Sequence, residues 1–174
     1  MGAALEQAAR GLEAGELPIG AVVVAGGEIV ARSYWRSRDG LLAHPELVTL
    51  QQANRRGLTL VTTLEPCLLC MAAAMFAFAE RIVFGLESPT DGGTAIGDVW
   101  NPAAGSAAPY RLPPVEGGVR RAESRELVRE FLCREPASPF ARWAETLTQG
   151  AQPPVETGPR AASSAARTTP SGMP

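Results

Sequence analysis

The stretches His44-Pro45-Glu46 and Pro66-Cys67-Leu68-Leu69-Cys70 are the most informative parts of this 174-residue sequence. One histidine and two cysteines are three protein ligands that suit a zinc ion, and they leave the fourth position open, as in catalytic zinc sites. His44, Cys67 and Cys70 are therefore the predicted metal ligands. Glu46, two residues after the histidine, is the predicted acid and base that such a site needs.

Each of these residues has a simpler interpretation when it is taken alone. The only histidine would be an ordinary core or surface residue, and Glu46 would be an exposed helix residue. A Cys-x-x-Cys pair alone would be a redox motif or half of a structural zinc site. The sequence holds no second cysteine pair and no further histidine to close a structural site. The combination therefore favours a catalytic metal centre.

Composition places the chain among ordinary soluble globular proteins. Hydrophobic residues make up 45% and charged residues 20%, and the net charge of −2 gives no general attraction to polyanions. A nucleic-acid partner would depend on a few small arginine groups, at Arg36/Arg38, Arg55/Arg56 and Arg120/Arg121. No signal peptide or membrane segment is predicted, and a reducing cytoplasm fits three cysteines without a disulfide framework. We expect the third cysteine, Cys133, to be a buried, unreactive thiol.

The hydrophobic pattern predicts an α/β protein with a three-layer α/β/α sandwich. Helices are predicted at 1–14, 45–54, 66–79, 96–100, 123–132 and 140–147, and strands at 19–24, 28–33, 59–63, 81–85 and 115–119. Residues 1–134 are expected to form the main domain and 135–150 a helical extension. Residues 151–174 hold mainly Pro, Ala, Ser, Thr and Gly, and we expect this tail to be disordered.

The two motifs together match H-x-E followed by P-C-x-x-C, the signature of zinc deaminases. The chain resembles the zinc-dependent cytidine/nucleoside deaminase superfamily over about residues 5–134. Segments 17–23, 63–67 and 115–119 look most like the tRNA adenosine deaminase branch, and the chain as a whole is most similar to the branch of tRNA adenosine, guanine and cytosine deaminases. The resemblance implies a five-stranded mixed sheet, one zinc ion per chain between two helix N-termini, and at least a homodimer whose neighbouring chains complete the pocket.

Several positions depart from that resemblance. Family members commonly carry an Asn after the second strand, where this chain has Tyr34-Trp35, and a His-Ser pair where it has residues 76–79. We therefore expect an altered, aromatic-lined pocket, with Trp35, Phe76 and Trp100 as stacking groups unless they belong to the core. The predicted substrate-binding residues are Gly20, Ala21, Tyr34, Trp35, Pro66, Phe76 and Trp100.

The resemblance implies a zinc-dependent hydrolase that converts an exocyclic amino group of a base into a carbonyl and releases ammonia. We expect a small-molecule base or nucleoside as substrate, ahead of the alternative, adenosine at the wobble position of a tRNA. A non-catalytic zinc-bearing partner subunit is a further interpretation. Glu46 argues against it, because such a subunit would need no carboxylate beside the metal.

Overall fold

The computed structural model describes residues 1–100, 107 and 109–149. Its helices are α1 (Gly2–Glu13), α2 (Pro45–Ala53), α3 (Leu68–Phe76), α4 (Ile96–Val99), α5 (Arg121–Arg134) and α6 (Ala141–Thr148), with a short 3₁₀ helix at Ser37–Asp39. Its strands are β1 (Gly20–Ala25), β2 (Glu28–Tyr34), β3 (Leu58–Leu64), β4 (Ala79–Leu86) and β5 (Val115–Glu116).

The five strands form one mixed sheet in the order β2-β1-β3-β4-β5. Strand β1 pairs antiparallel with β2 and β3, whereas β3 with β4 and β4 with β5 are parallel. Helices α1 and α5 pack on one face of the sheet, and α2 and α3 pack on the other. The expected α/β architecture with a five-stranded mixed sheet is therefore confirmed.

Alternation along the central strands supplies a core on each face of the sheet. On the α2/α3 side, Leu60 and Ile82 of the sheet lie in one cluster with Leu50 of α2 and Met71 of α3. On the α1 side, Val22 and Val61 lie in a cluster with Ala4. Because both faces are covered, the central strands are nearly continuous apolar runs.

A third cluster ties α6 to the rest of the protein. Ala144 and Leu147 of α6 are buried with Val128 and Phe131 of α5. The same cluster contains Trp35, Leu64 and Leu86. Helix α6 is therefore packed near the ends of β2, β3 and β4, where the two sequence motifs also lie.

The parallel pair β3 and β4 brings two loops to one edge of the sheet. The Glu65 N–H donates to the Leu86 carbonyl oxygen at 2.7 Å, just beyond the last residue of β3. The Glu65 carboxylate accepts hydrogen bonds from the Ser88 N–H at 2.9 Å and the Thr94 N–H at 3.3 Å. Glu65 therefore fixes the loop after β4 against the segment that leads into α3.

Two predicted elements end earlier than expected. Helix α3 stops at Phe76 rather than at Ala79, because Phe78 is left-handed, with φ of 55°, and Ala79 already pairs with Leu58 as the first residue of β4. The fifth strand covers two residues instead of 115–119. Gly117 packs directly on the Phe84 ring and Gly118 has φ of 80°, which turns the chain out of the sheet.

The expectation for Cys133 is wrong, because this side chain is exposed. The buried face of α5 is formed by Ser124, Val128 and Phe131. A residue two positions after Phe131 lies about 200° away around an α-helix and therefore faces solvent. The predicted tail at 151–174 lies outside the described residues. Among the described residues, no helix is long and apolar enough to cross a membrane.

Replacing Gly20 with Ala should destabilise the fold. A Cβ at Gly20 would meet the Ala4 carbonyl oxygen and the Ala8 nitrogen, both in the backbone of α1. Since a helix backbone cannot move aside cheaply, we expect a loss of about 1–3 kcal/mol in the free energy of unfolding, measured by urea denaturation.

The matched control is Gly97→Ala in α4, where an added Cβ meets nothing within 4 Å. This change should leave the free energy of unfolding the same or raise it by up to about 1 kcal/mol, because alanine favours a helix over glycine. Equal stability of Gly20→Ala and the parent protein would contradict the close packing of α1 on β1.

Candidate active site

The predicted metal ligands lie at the starts of two neighbouring helices. His44 is the N-cap residue of α2, and Pro45 takes the first helical position, where a missing N–H costs nothing. Cys67 is the N-cap residue of α3, and Cys70 lies in its first turn. The positive ends of two helix dipoles therefore lie beside the three predicted ligands, and a helix N-terminus favours the thiolate form in which cysteine binds a metal.

The three ligand atoms form a compact triangle. His44 Nδ1 lies 3.5 Å from Cys67 Sγ and 3.4 Å from Cys70 Sγ, and the two sulfurs are 3.4 Å apart. A tetrahedral zinc site with bonds of about 2.0–2.3 Å has ligand–ligand separations of about 3.3–3.8 Å. These three residues therefore fit zinc in both chemistry and spacing, and they are the one such group of His, Cys, Asp and Glu among the described residues.

Contacts within the triangle set its protonation. Hydrogen bonding between the sulfurs lowers the pKa of Cys67 to about 4 and raises the pKa of Cys70, where burial acts in the same direction. The pKa of His44 is raised, chiefly by its hydrogen bond with Cys67. The raised pKa favours the protonated form of Cys70, and a metal ion must displace that proton in order to bind.

Glu46 lies inside the protein beside this triangle. Its side chain is 3% exposed, and burial raises the pKa of its carboxyl group. The Thr62 hydroxyl donates to Glu46 Oε1 at 2.7 Å, and Glu46 Oε2 lies 3.6 Å from Cys70 Sγ. One oxygen is therefore held by β3, while the other is next to the metal ligands.

A cavity of about 280 Å³ opens above these groups. Its lining residues are Leu17, Ile19, Trp35, His44, Pro45, Glu46, Leu64, Glu65, Cys67, Cys70, Asp91, Phe140 and Trp143. The Trp35 ring stands edge-on to the His44 ring at a centroid distance of 5.4 Å and to Phe140 at 6.3 Å. The site is thus an apolar, aromatic-walled pocket with the metal ligands and Glu46 on its surface, a typical setting for binding a flat ring.

Of the predicted substrate-binding residues, Trp35 is the one that lines this cavity. Phe76 and Trp100 lie along a separate apolar groove beside α3, where the Phe76 ring packs on Tyr110 at 4.7 Å. Tyr34 carries the Arg36 guanidinium over its ring at 5.2 Å.

The other three predicted substrate-binding residues have contacts within the fold. The Gly20 N–H donates to Thr63 Oγ1 at 3.0 Å, and Ala21 is fully buried in the sheet core beneath α2 and α3. The Pro66 carbonyl oxygen accepts from the Gly93 N–H at 2.8 Å, which fixes the loop that carries Cys67. Pro66 thus contributes to the position of a metal ligand.

The structure also brings residues into the site that the motifs do not indicate. Thr62 reaches Glu46 from β3, and Asp91 follows β4. Phe140 and Trp143 reach the cavity from the segment around α6. The periodicity of residues 140–147 predicts a helix, but it gives no indication of the surface on which that helix packs.

Comparison with known proteins places this site in a family. Residues 1–86 match the cytidine and deoxycytidylate deaminase zinc-binding region. The tRNA-specific adenosine deaminase of Agrobacterium fabrum is 34% identical over 137 residues, which cover 74% of this chain and 88% of that protein. The chain therefore belongs to the zinc-binding cytidine deaminase family, in the branch that contains tRNA-specific adenosine deaminases.

Two further similarities show how far the relationship extends. The tRNA(Ile)-lysidine synthase of Deinococcus radiodurans is 43% identical over 141 residues, which cover 75% of this chain. The chain spans about a quarter of that relative's length, 23%. A solved structure from a study of A-to-I editing by tRNA:A34 deaminases has a TM-score of 0.64 and 33% identity, and covers 73% of this chain and 96% of that one.

Loss of either cysteine in the triangle should release zinc. We expect Cys67→Ser and Cys70→Ser to contain far less than one zinc ion per chain after purification, because two protein ligands hold the ion more weakly than three. Metal content is measured by inductively coupled plasma mass spectrometry. Cys133→Ser, at an exposed cysteine, is the control and should retain the parent's zinc content. Full zinc occupancy in Cys67→Ser would contradict the ligand assignment.

Proposed function

We propose that this chain is a zinc-dependent hydrolytic deaminase that replaces the exocyclic amino group of a nucleobase by oxygen and releases ammonia. The observation that carries the proposal is a buried carboxylate, Glu46, beside a zinc-fitting triangle on the surface of a ring-sized cavity. A zinc ion held by His44, Cys67 and Cys70 would lower the pKa of water at its open position towards neutrality.

Glu46 is the proton carrier in this proposal. It accepts a proton from the attacking water, delivers a proton to a ring nitrogen, and passes one on to the departing amine, so that ammonia leaves as a neutral group. Burial raises the pKa of Glu46, which suits a group that must hold and return a proton. Thr62 holds Oε1 and thereby directs Oε2 towards the reacting centre. A non-catalytic zinc-bearing subunit would have no use for this arrangement.

A small-molecule base or nucleoside is the proposed substrate. The cavity is walled by side chains of the same chain, Trp35, Phe140 and Trp143, which present apolar faces to a ring. Its other ionisable walls are acidic, Glu65 and Asp91, and the whole chain has a net charge of −2. Acidic walls repel the phosphates of a polynucleotide, so they favour an uncharged substrate.

The second candidate is adenosine at the wobble position of a tRNA. It is favoured by the relatives named tRNA-specific adenosine deaminases and by the structure from the study of tRNA:A34 deaminases. Three of the arginines in the groups named above give it little support. Arg36 pairs with Asp39 at 2.6 Å, Arg120 pairs with Glu123, and Arg121 pairs with Glu87. Paired arginines leave less positive potential for a phosphate backbone.

Ammonia release by the purified zinc protein tests both candidates. The panel contains adenine, cytosine, guanine, their nucleosides and a tRNA with adenosine at the wobble position. We expect turnover of a small molecule with the tRNA unchanged. Turnover of the tRNA alone would reverse the order of the two candidates, and no turnover of any substrate would contradict the proposed activity.

Glu46→Gln should separate chemistry from folding in the same assay. We expect kcat to fall by about 10²–10⁴-fold, the usual contribution of general acid–base catalysis, while zinc content stays near one ion per chain. Glu28→Gln, at an exposed residue where β2 begins, is the control and should keep full activity. Unchanged turnover in Glu46→Gln would rule out the proton-carrier role.

We also propose that the protein is a homodimer and works in a reducing compartment such as the cytoplasm. The exposed apolar residues Leu68, Leu69 and Phe76 of α3 support a second copy as their cover. Metal ligation by free thiolates supports reducing surroundings.

The dimer is tested by light scattering coupled to size-exclusion chromatography. We expect twice the chain mass of 18.3 kDa, and a shift towards one chain mass in Phe76→Asp, which places a charge in the proposed contact. The control is Ile29→Asp, at an exposed apolar residue of β2 that is not part of α3. A parent protein of one chain mass would contradict the proposal.

A further inference from the structure

Three carboxylates line the cavity, and two of them already have defined roles. Glu46 Oε1 accepts from Thr62, and its Oε2 lies beside Cys70. Both oxygens of Glu65 accept hydrogen bonds from the loop after β4, Oε2 from Ser88 and Oε1 from Thr94. Asp91 is the third carboxylate, and neither the metal triangle nor the proton transfer uses it.

The hydrogen bonds to Asp91 all fall on one of its two oxygens. Oδ1 accepts from the Trp143 indole N–H at 3.1 Å, from the Thr90 hydroxyl at 3.3 Å and from the Ser88 hydroxyl. Oδ2 accepts no hydrogen bond from any described residue. Three donors on Oδ1 fix the orientation of the carboxylate plane, and the donor from α6 comes from a residue that itself lines the cavity. The structure therefore presents a fixed oxygen acceptor, on a solvent-exposed residue, at a pocket whose other walls are largely apolar.

An ionised carboxylate can accept hydrogen bonds but cannot donate them, so it discriminates between bases by their N–H groups. In adenine and cytosine, the amine-bearing carbon is bonded to a ring nitrogen that is an acceptor. In guanine, the amine-bearing carbon C2 lies between N3, an acceptor, and N1, which carries a hydrogen. Isocytosine, a pyrimidine, has the same arrangement. An acceptor in the wall of the pocket therefore suits guanine-type rings and opposes a ring that offers a lone pair to it.

We propose that Asp91 is the specificity-determining residue of this pocket, and that it selects 2-amino bases with a ring N–H beside the amine-bearing carbon. This assignment rests on the proposed deaminase function. In it, Glu46 delivers its proton to N3 while Asp91 Oδ2 accepts the hydrogen bond from N1–H. The overall reaction is then guanine plus water to xanthine plus ammonia. Trp143 is a positioning residue that acts through Asp91.

Methylation of the substrate tests the acceptor directly. We expect the zinc protein to deaminate guanine and isocytosine, and to act on 1-methylguanine, which lacks the N1 hydrogen, with kcat/KM at least about 10-fold lower. A hydrogen bond to a charged acceptor is worth about 10- to 100-fold in binding. Equal turnover of guanine and 1-methylguanine would overturn the proposal.

Asp91→Asn replaces one acceptor oxygen by an NH₂ donor while the shape of the side chain stays nearly the same. The amide oxygen can still accept from Trp143, Thr90 and Ser88, so the NH₂ group takes the place of Oδ2 and offers a donor where the parent offers an acceptor. We expect kcat/KM for guanine to fall by about 10- to 100-fold, with no fall for adenine or cytosine. Asp98→Asn, at an exposed residue of α4 outside the cavity, should change neither. An equal loss for all bases, or no loss for any, would overturn the assignment.

Trp143→Phe provides a second, independent variant. It keeps an aromatic wall but removes one donor to Oδ1, so the preference for guanine over 1-methylguanine should shrink while the binding of rings as such is kept. An unchanged preference would contradict the positioning role of Trp143.

A binding measurement separates this proposal from the proposed function. Trp35 and Trp143 line the cavity, so quenching of intrinsic fluorescence reports on ligand binding there. A protein that deaminates nothing but prefers guanine to 1-methylguanine, with the preference lost in Asp91→Asn, would overturn the activity and support the role of Asp91. A protein that deaminates guanine without that loss in Asp91→Asn would support the activity and overturn the role.

Discussion

The requirement that three side-chain atoms from two segments converge within about 3.5 Å underlies the rest of this structure. His44 and Cys67 are 23 residues apart in the chain, and His44 Nδ1 and Cys67 Sγ are 3.5 Å apart in space. The sheet makes this possible, because α2 and α3 pack side by side on one face and begin at the same edge. The parallel pairing of β3 with β4, and the hydrogen bonds of Glu65 to the loop after β4, hold the start of α3 in place. Chemistry at this edge therefore depends on the order and direction of the strands.

A buried carboxylate beside two sulfurs is costly unless its surroundings compensate for the loss of water. Thr62 compensates by donating to Glu46 Oε1, while burial raises the pKa of this carboxyl group. The same surroundings suit catalysis, because a carboxyl group that readily takes up a proton is also able to return it. The hydrogen bond from Thr62 thus both stabilises the buried Glu46 side chain and positions it for proton transfer.

The sequence predicts the fold well, and the three predicted metal ligands come together in the structure, because the information for both is local. Apolar runs of strand length, a proline at a helix start and the Cys-x-x-Cys spacing all act within a few residues. Strand and helix ends were less well predicted at Phe78 and Gly117, where backbone conformation and a single ring contact decide the outcome. Most residues of the pocket wall could not be predicted from the sequence, because contacts such as that between Asp91 and Trp143 join segments 52 residues apart. Phe76 and Trp100 were predicted to line the pocket from their positions in the sequence, but both line the separate groove beside α3.

The catalytic groups and part of the pocket wall come from different segments of the chain. The metal triangle and Glu46 come from residues 44–70, whereas Phe140 and Trp143 come from a separate segment near the end of the described chain. The parts that perform the reaction and the parts that shape the ring pocket can therefore diverge independently during evolution. A lineage that exchanged only this short segment would inherit the catalytic centre and Asp91 unchanged and acquire a differently shaped ring pocket.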